Sequence, residues 1–132
     1  MMLKRFILAA ALMAGAAQAD ESEIRGTIGQ QIERFRADDS AGAFNYAAPN
    51  IRRLFGDAQR FGQMVRRGYP MVWQPDSVEY LGADDRGANW TQDVLITDVS
   101  GRLHLLEYTM VETSDGWRIA GVRFLQTPEV GA

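Results

Sequence analysis

Two periodicities divide this chain. From Ile24 to Val65 apolar residues recur at helical spacing, and from Ser77 to Gln126 they alternate with polar ones. Ile24, Ile28, Ile32 and Phe35 form one stripe, with Glu33, Arg34 and Arg36 off it. Asp20 and Glu23 have the spacing of a capping box for this helix, and Asp38-Asp39 is its expected stop. Ser40 is placed to cap a short second helix through Ala43, Phe44 and Ala47, ended by Pro49, because the residue before a proline avoids helical geometry. Asn50–Phe55 adds a helical turn stopped by Gly56. Asp57 caps a fourth segment with Phe61, Met64 and Val65 as its buried face and Gly68 at its end.

Pro70 and Pro75 bracket Met71-Val72-Trp73-Gln74, which predicts an extended edge or crossing segment. Four strands follow: Ser77–Ala83, Ala88–Asp98, Arg102–Glu112 and Trp117–Gln126. Asp85-Arg86-Gly87, Val99-Ser100-Gly101 and Ser114-Asp115-Gly116 are the turns between them, and Thr127–Ala132 is a polar tail. Helices first and a meander afterwards is an α+β layout, with the helices packed on one face of a curved antiparallel sheet.

Three-residue loops at the last two turns set the register. They pair Gln92 with Tyr108, Asp93 with Glu107, Val94 with Leu106 and Trp90 with Met110. They also pair Glu112 with Arg118, Tyr108 with Val122, Glu107 with Arg123 and Leu106 with Phe124. The helix-covered face then carries Trp90, Val94, Ile96, Leu106, Met110, Ala120, Val122 and Phe124, with Gln92, His104 and Tyr108 among them. The other carries Leu95, Leu105, Val111, Ile119 and Leu125, crossed by an Asp93–Glu107–Arg123 row.

Composition adds an address and several exclusions. Lys4-Arg5, the apolar run Phe6–Ala16 and the small-x-small site Ala17-Gln18-Ala19 have the layout of a secretory signal peptide. Residues 1–19 are therefore expected to be removed, leaving residues 20–132 as a single exported domain, in the periplasm or fully secreted, with no membrane attachment. There is no cysteine, which excludes disulfides, thiol catalysis and a lipoprotein anchor. Lys4 is the only lysine, so Schiff-base chemistry is excluded after cleavage. A net charge of −3 without a basic block argues against nucleic acid. Neither a cofactor nor a metal is expected.

Candidate chemistry is sparse. Trp90, Gln92 and Tyr108, with His104 on the same face, could line a pocket and orient a small ligand. The alternative is an ordinary buried hydrogen bond at Tyr108 and a polar strand end at His104, which as the single histidine would be the natural general base. Asp93 and Glu107 form a close carboxylate pair that could raise one pKa, or join Arg123 in a structural ion network. Tyr69 and Trp73 between the prolines could meet a protein partner or plug the end of the fold. The mixed face with Asp93, Glu107 and Arg123 is a candidate homodimer surface.

The stretches GYPMVWQPDSVEY (Gly68–Tyr80) and EYTMVETSDGWRIAGVRFL (Glu107–Leu125) resemble a family of exported bacterial proteins defined only as a domain of unknown function. That family is similar to the nuclear transport factor 2-like, cystatin-like superfamily. The resemblance implies a cone: a curved sheet wrapped around a long helix, with a pocket inside. It implies no catalytic residues and no activity, because this fold serves many. The sequence thus points to a non-enzymatic exported domain that binds a small apolar ligand or a protein partner. Two other readings are a small cofactor-free isomerase, dehydratase or hydrolase, and a structural or assembly module.

Overall fold

The computed structural model describes residues 2–126. The expected polar tail from Thr127 lies outside the described residues. Five helices precede four strands: α1 (Met2–Arg36), α2 (Ser40–Phe44), α3 (Pro49–Phe55), α4 (Ala58–Gly68), α5 (Pro70–Trp73), β1 (Ser77–Asp85), β2 (Trp90–Thr97), β3 (Leu103–Thr113) and β4 (Gly116–Phe124). The strands form one antiparallel sheet in the order β1-β2-β3-β4. The class is α+β, as expected.

The stripe on α1 is the spine of the core. Ile24, Ile28 and Phe35 are fully buried and Ile32 nearly so. α1 spans the inner face of the sheet. Arg25 reaches the Leu81 carbonyl of β1 and Gln92 of β2, while the Thr27 hydroxyl donates to the Trp117 carbonyl of β4. The helix does not begin at Asp20: it continues through that residue from Met2, so the capping box is not formed. It stops at Arg36, where Asp38 takes a left-handed φ of 59° that short polar side chains tolerate.

α2 is capped by Asp39 rather than Ser40, the Asp39 carboxylate accepting from the Gly42 amide at 2.9 Å. Ala47 falls outside it and instead bridges to Ile119, with Ala48 N–H donating to the Ile119 carbonyl at 2.8 Å. This short contact covers the free edge of β4. Pro49 opens α3 instead of closing α2, since a first-turn residue needs no N–H partner. Gly56 ends α3 with φ 80°, and Asp57 caps α4 as predicted. Gly62 of α4 sits against Ser40 so closely that a β-carbon there would collide with the serine side chain. The segment between the prolines is not extended. Pro70–Trp73 is one helical turn, again with proline at its first position.

The β2–β3 register is the predicted one, down to Trp90 opposite Met110. The β3–β4 register is predicted correctly only away from the turn. Leu106–Phe124, Glu107–Arg123 and Tyr108–Val122 pair as expected, but Glu112 meets Trp117 rather than Arg118. The loop is Ser114-Asp115, one residue shorter than expected, and a bulge between Thr109 and Met110's partners absorbs the difference at Ala120. Side chains on β4 therefore change face at Ala120. Trp117 and Ile119 are buried in the core, whereas Ile119 was expected on the outer face and Ala120 in the core; Phe124 is half exposed.

Candidate functional site

An apolar cavity of about 240 Å³ opens between α3, α4 and the β3–β4 half of the sheet. Phe35 and Gln31 of α1 form its back, and Ile51, Leu54 and Phe55 of α3 one side. Phe61, Met64 and Val65 of α4, Tyr69, and Val72 of α5 form the other side. Tyr108, Ile119 and Val122 form its floor. α3 buries none of its own residues, and Leu54 stands 73% exposed at the rim. Ile51 and Phe55 pack α3 against the core, and the Asn50 side-chain amide ties it to the β4 bulge by donating to the Ala120 carbonyl at 2.9 Å. An apolar cavity of roughly 150 Å³ is enough for benzene, so this one accommodates a larger molecule.

Two polar residues of the core, Gln31 and Tyr108, border it. The Gln31 amide nitrogen donates to the Ala43 carbonyl at 3.1 Å, which leaves Oε1 as its remaining acceptor. The Tyr108 hydroxyl is buried and has no hydrogen-bond partner. Leaving such a group unpaired costs about 1–3 kcal/mol, so it marks a place where something is missing from the protein's own contacts. Burial, with the Tyr80 and Tyr69 phenols nearby, holds the Tyr108 pKa well above the ordinary phenol value. The group is a neutral O–H at every physiological pH.

The structure brings one of the four expected ligand-lining residues to this cavity. Tyr108 lines the cavity; Trp90, Gln92 and His104 do not. Gln92 is fully buried, but its amide is spent on the backbone. Nε2 donates to the carbonyls of Leu81, Gly82 and Asp93, and Oε1 accepts from Arg25 at 3.4 Å. The Leu81 and Gly82 carbonyls are left free of the ladder for it because β1 is irregular between Tyr80 and Ala83. Trp90 packs edge-on against Trp117, with ring centroids 6.1 Å apart. α1 lies over this end of the sheet, which leaves the cavity at the other end.

His104 is a turn residue. Its Nε2 is 2.8 Å from Asp98 Oδ2, and Asp98 also accepts from the Ser100 amide, the Ser100 hydroxyl and the Arg102 amide. These bonds, the one to His104 first, hold the Asp98 carboxyl well below the usual carboxylate range. Because the folded pKa is lowered, the stabilisation is present above the unfolded value of about 3.8 and is lost as pH falls below it. Asp98→Asn is expected to be less stable than the parent at pH 7. The gap should narrow below about pH 4, where the parent loses its advantage. Urea midpoints at pH 7, 4 and 3 measure this; a gap that stays constant with pH would contradict it.

Of the proposed interface residues, Asp93, Glu107 and Arg123 do align across three strands. Arg123 Nε donates to Glu107 at 2.8 Å. Burial, and then the neighbouring Glu107, raise the Asp93 pKa, the cost of the like-charge pair foreseen from the register. Trp73 is a core residue, 8% exposed, packed on Phe35 and covered by the Arg66 guanidinium at 4.5 Å. It offers a partner no free face. Tyr69 stacks on Phe124 at 5.0 Å, donates to the Val122 carbonyl and borders the cavity.

The cluster of potential metal ligands among the described residues is Asp20, Glu23 and Glu112, largely exposed, and it does not include His104. The cavity residues that sequence reasoning missed are Gln31 and the α3 side chains. Ile51, Leu54 and Phe55 at i, i+3 and i+4 were the available signal: a short helix with an apolar face and no core of its own.

Residues 17–132 match the family described as Domain of unknown function (DUF4864). The chain belongs to that family. A solved structure described as an NTF-2 like protein of unknown function, from Burkholderia xenovorans LB400, has the same fold, with a TM-score of 0.50 at 15% identity. The likeness covers 84% of this chain and 89% of that one. No curated protein matches. The family and the fold expected from Gly68–Tyr80 and Glu107–Leu125 are thus correct, and neither carries an activity.

Proposed function

We propose that this domain is a non-enzymatic carrier or sensor that holds a small, largely apolar molecule in the cavity beneath α3 and α4. The observation that carries the reading is the apolar space of about 240 Å³ between α3, α4 and the β3–β4 half of the sheet, which the domain's own side chains leave unfilled. A well-packed interior leaves few voids larger than a water molecule. Of the lining residues, only two tyrosine phenols titrate, and no carboxylate, histidine or arginine is among them. General acid–base chemistry near neutrality needs groups of another kind.

Export belongs to the same proposal. The leader pattern of residues 1–19 supports it, as does the position of the core. Gly15–Ala19 are exposed, and among the described side chains the first buried one is Ile24. Cleavage after Ala19 would keep every described core residue in the domain. No helix among the described residues is long and apolar enough to cross a membrane.

Native mass spectrometry of the protein purified from its own host is expected to show a retained small molecule. Ala47 is a nearly fully buried wall residue, and Ala47→Leu fills part of the space it borders. The variant is expected to lose the adduct while keeping its far-ultraviolet circular dichroism. A ligand at a hundred times its Kd should stabilise the parent by about 2.7 kcal/mol. Host protein with no adduct, whose stability saturating small aromatics leave unchanged, would remove the basis of this reading.

A further inference from the structure

We infer that the face built by α3 and α4 docks reversibly on an anionic lipid bilayer, with the mouth of the cavity opening against it. The charge of this face and its exposed side chains stand without any ligand; the choice of a bilayer over an acidic protein rests on the cavity reading.

Three observations converge here. First, charge is segregated. Residues 49–68 hold five arginines, Arg52, Arg53, Arg60, Arg66 and Arg67, and a single acid, Asp57, in a chain of net charge −3. All five arginines are exposed. Second, much of that charge is uncommitted. Arg66 pairs with Asp38 at 2.8 Å and Arg60 with Asp57 at 3.8 Å, but Arg52, Arg53 and Arg67 form no salt bridge with a described residue. Asp57 is further engaged in capping α4 through the Arg60 amide. Guanidinium groups left in this state attract anionic headgroups, each contributing roughly fivefold in affinity near the surface. Third, the basic face carries the mouth of the cavity. Leu54 lines the cavity and stands 73% exposed beside Arg53. Met64, a half-buried lining residue, lies four residues after Arg60 and three before Arg67, so the three share one stripe of α4. An exposed leucine among arginines suits a surface whose charges meet headgroups while its apolar tip enters the acyl boundary. An acidic protein would satisfy the charge but has no use for the opening. An apolar molecule, by contrast, is dissolved in the bilayer, and an opening pressed against it spares that molecule the passage through water.

The test is co-sedimentation of the protein, purified from its own host, with vesicles of phosphatidylcholine alone or with about one-third phosphatidylglycerol, at about 0.05 M and about 0.5 M salt. Binding is expected to the anionic vesicles alone, and to be lost at the higher salt, where the attraction is screened. Arg60→Gln combined with Arg67→Gln is expected to weaken it by at least about tenfold. Leu54→Gln is expected to weaken it severalfold with the salt dependence retained. The control, Arg86→Gln combined with Arg102→Gln, makes the same change in net charge in the β1–β2 and β2–β3 turns. It is expected to leave binding within about twofold, because the attraction acts over no more than a Debye length. All five substituted side chains are exposed, so the urea midpoints should match the parent's.

Equal binding to neutral vesicles, an equal loss in the control pair, or no binding to either vesicle would overturn the docking face. Polyglutamate competing as tightly as the anionic vesicles would assign the arginines to an acidic polypeptide and overturn it equally. The cavity reading is tested apart from this: the small molecule retained in native mass spectrometry is expected in Arg60→Gln combined with Arg67→Gln as in the parent. Its absence from both would count against the cavity, whichever vesicles bind.

Discussion

Phe35→Ala is expected to destabilise the domain by about 3–5 kcal/mol, the range for deleting a large aromatic from a packed core. Phe35 is fully buried at the C-terminal end of the α1 stripe. Its ring lies 5.9 Å from Phe61 and 5.3 Å from Trp73, so one side chain ties α1 to both α4 and α5. It is also a wall of the cavity, so the space it vacates adds to the ligand volume. The variant is therefore expected to gain affinity for a bicyclic hydrocarbon such as naphthalene relative to benzene. Urea unfolding gives the stability and competitive binding the relative affinity. A loss below about 1.5 kcal/mol would show that the cluster collapses into the gap, and the size preference should then stay unchanged.

Gln92→Leu is expected to cost about 2–4 kcal/mol, although leucine is close in size and more hydrophobic. The reason is the backbone it leaves behind. The carbonyls of Leu81, Gly82 and Asp93 all accept from the one amide nitrogen, and Arg25 donates to its oxygen. Gln92 thus anchors the irregular part of β1 to β2 and to α1. The damage should be local: amide exchange should accelerate in β1 and β2 while β3 and β4 stay protected. Arg25→Met alone should cost less, and the double variant less than the sum, because the two share one partner. A Gln92→Leu variant within about 0.5 kcal/mol of the parent would mean that water satisfies these carbonyls.

The two readings of Gln92 and Tyr108 show what a sequence conveys about a site. Alternation along β2 and β3, with Asp98 and Gly101 marking the turn, was enough to place the two side chains opposite each other on the covered face. It could not separate them. Gln92 lies beneath α1 and beside a backbone irregularity, where carbonyls consume its donors. Tyr108 lies one strand over, where the helices leave a gap. The difference is set by which helix covers which strand. His104 likewise needed the turn geometry that gathers its ring and three other donors onto Asp98.

Local chemistry accounts for most of the correct expectations and for the errors too. The stripe Ile24–Phe35, the Asp57 cap, the Gly56 stop and the β2–β3 register follow from short-range rules that tertiary contacts did not override. Two prolines open helices rather than closing them. At Pro49 and Pro70 the sequence predicts a break, but as a first helical residue proline starts a helix at no cost in hydrogen bonds. Both readings obey the same steric facts, and only the position of the following residues decides between them.

By itself, the sequence determined the α+β class, the family, the one apolar face of α1 and the alternation that builds the sheet, because periodicity and turn chemistry are local properties of the chain. The tertiary structure alone decided where the bulge at Ala120 falls and hence that Ile119 turns inward. It also decided that α3 sits over the β3–β4 end without filling it, and that the Tyr108 hydroxyl is left without a partner. Those outcomes depend on how volumes from distant segments fit together, and a cavity, being the space they fail to fill, is written in no single residue.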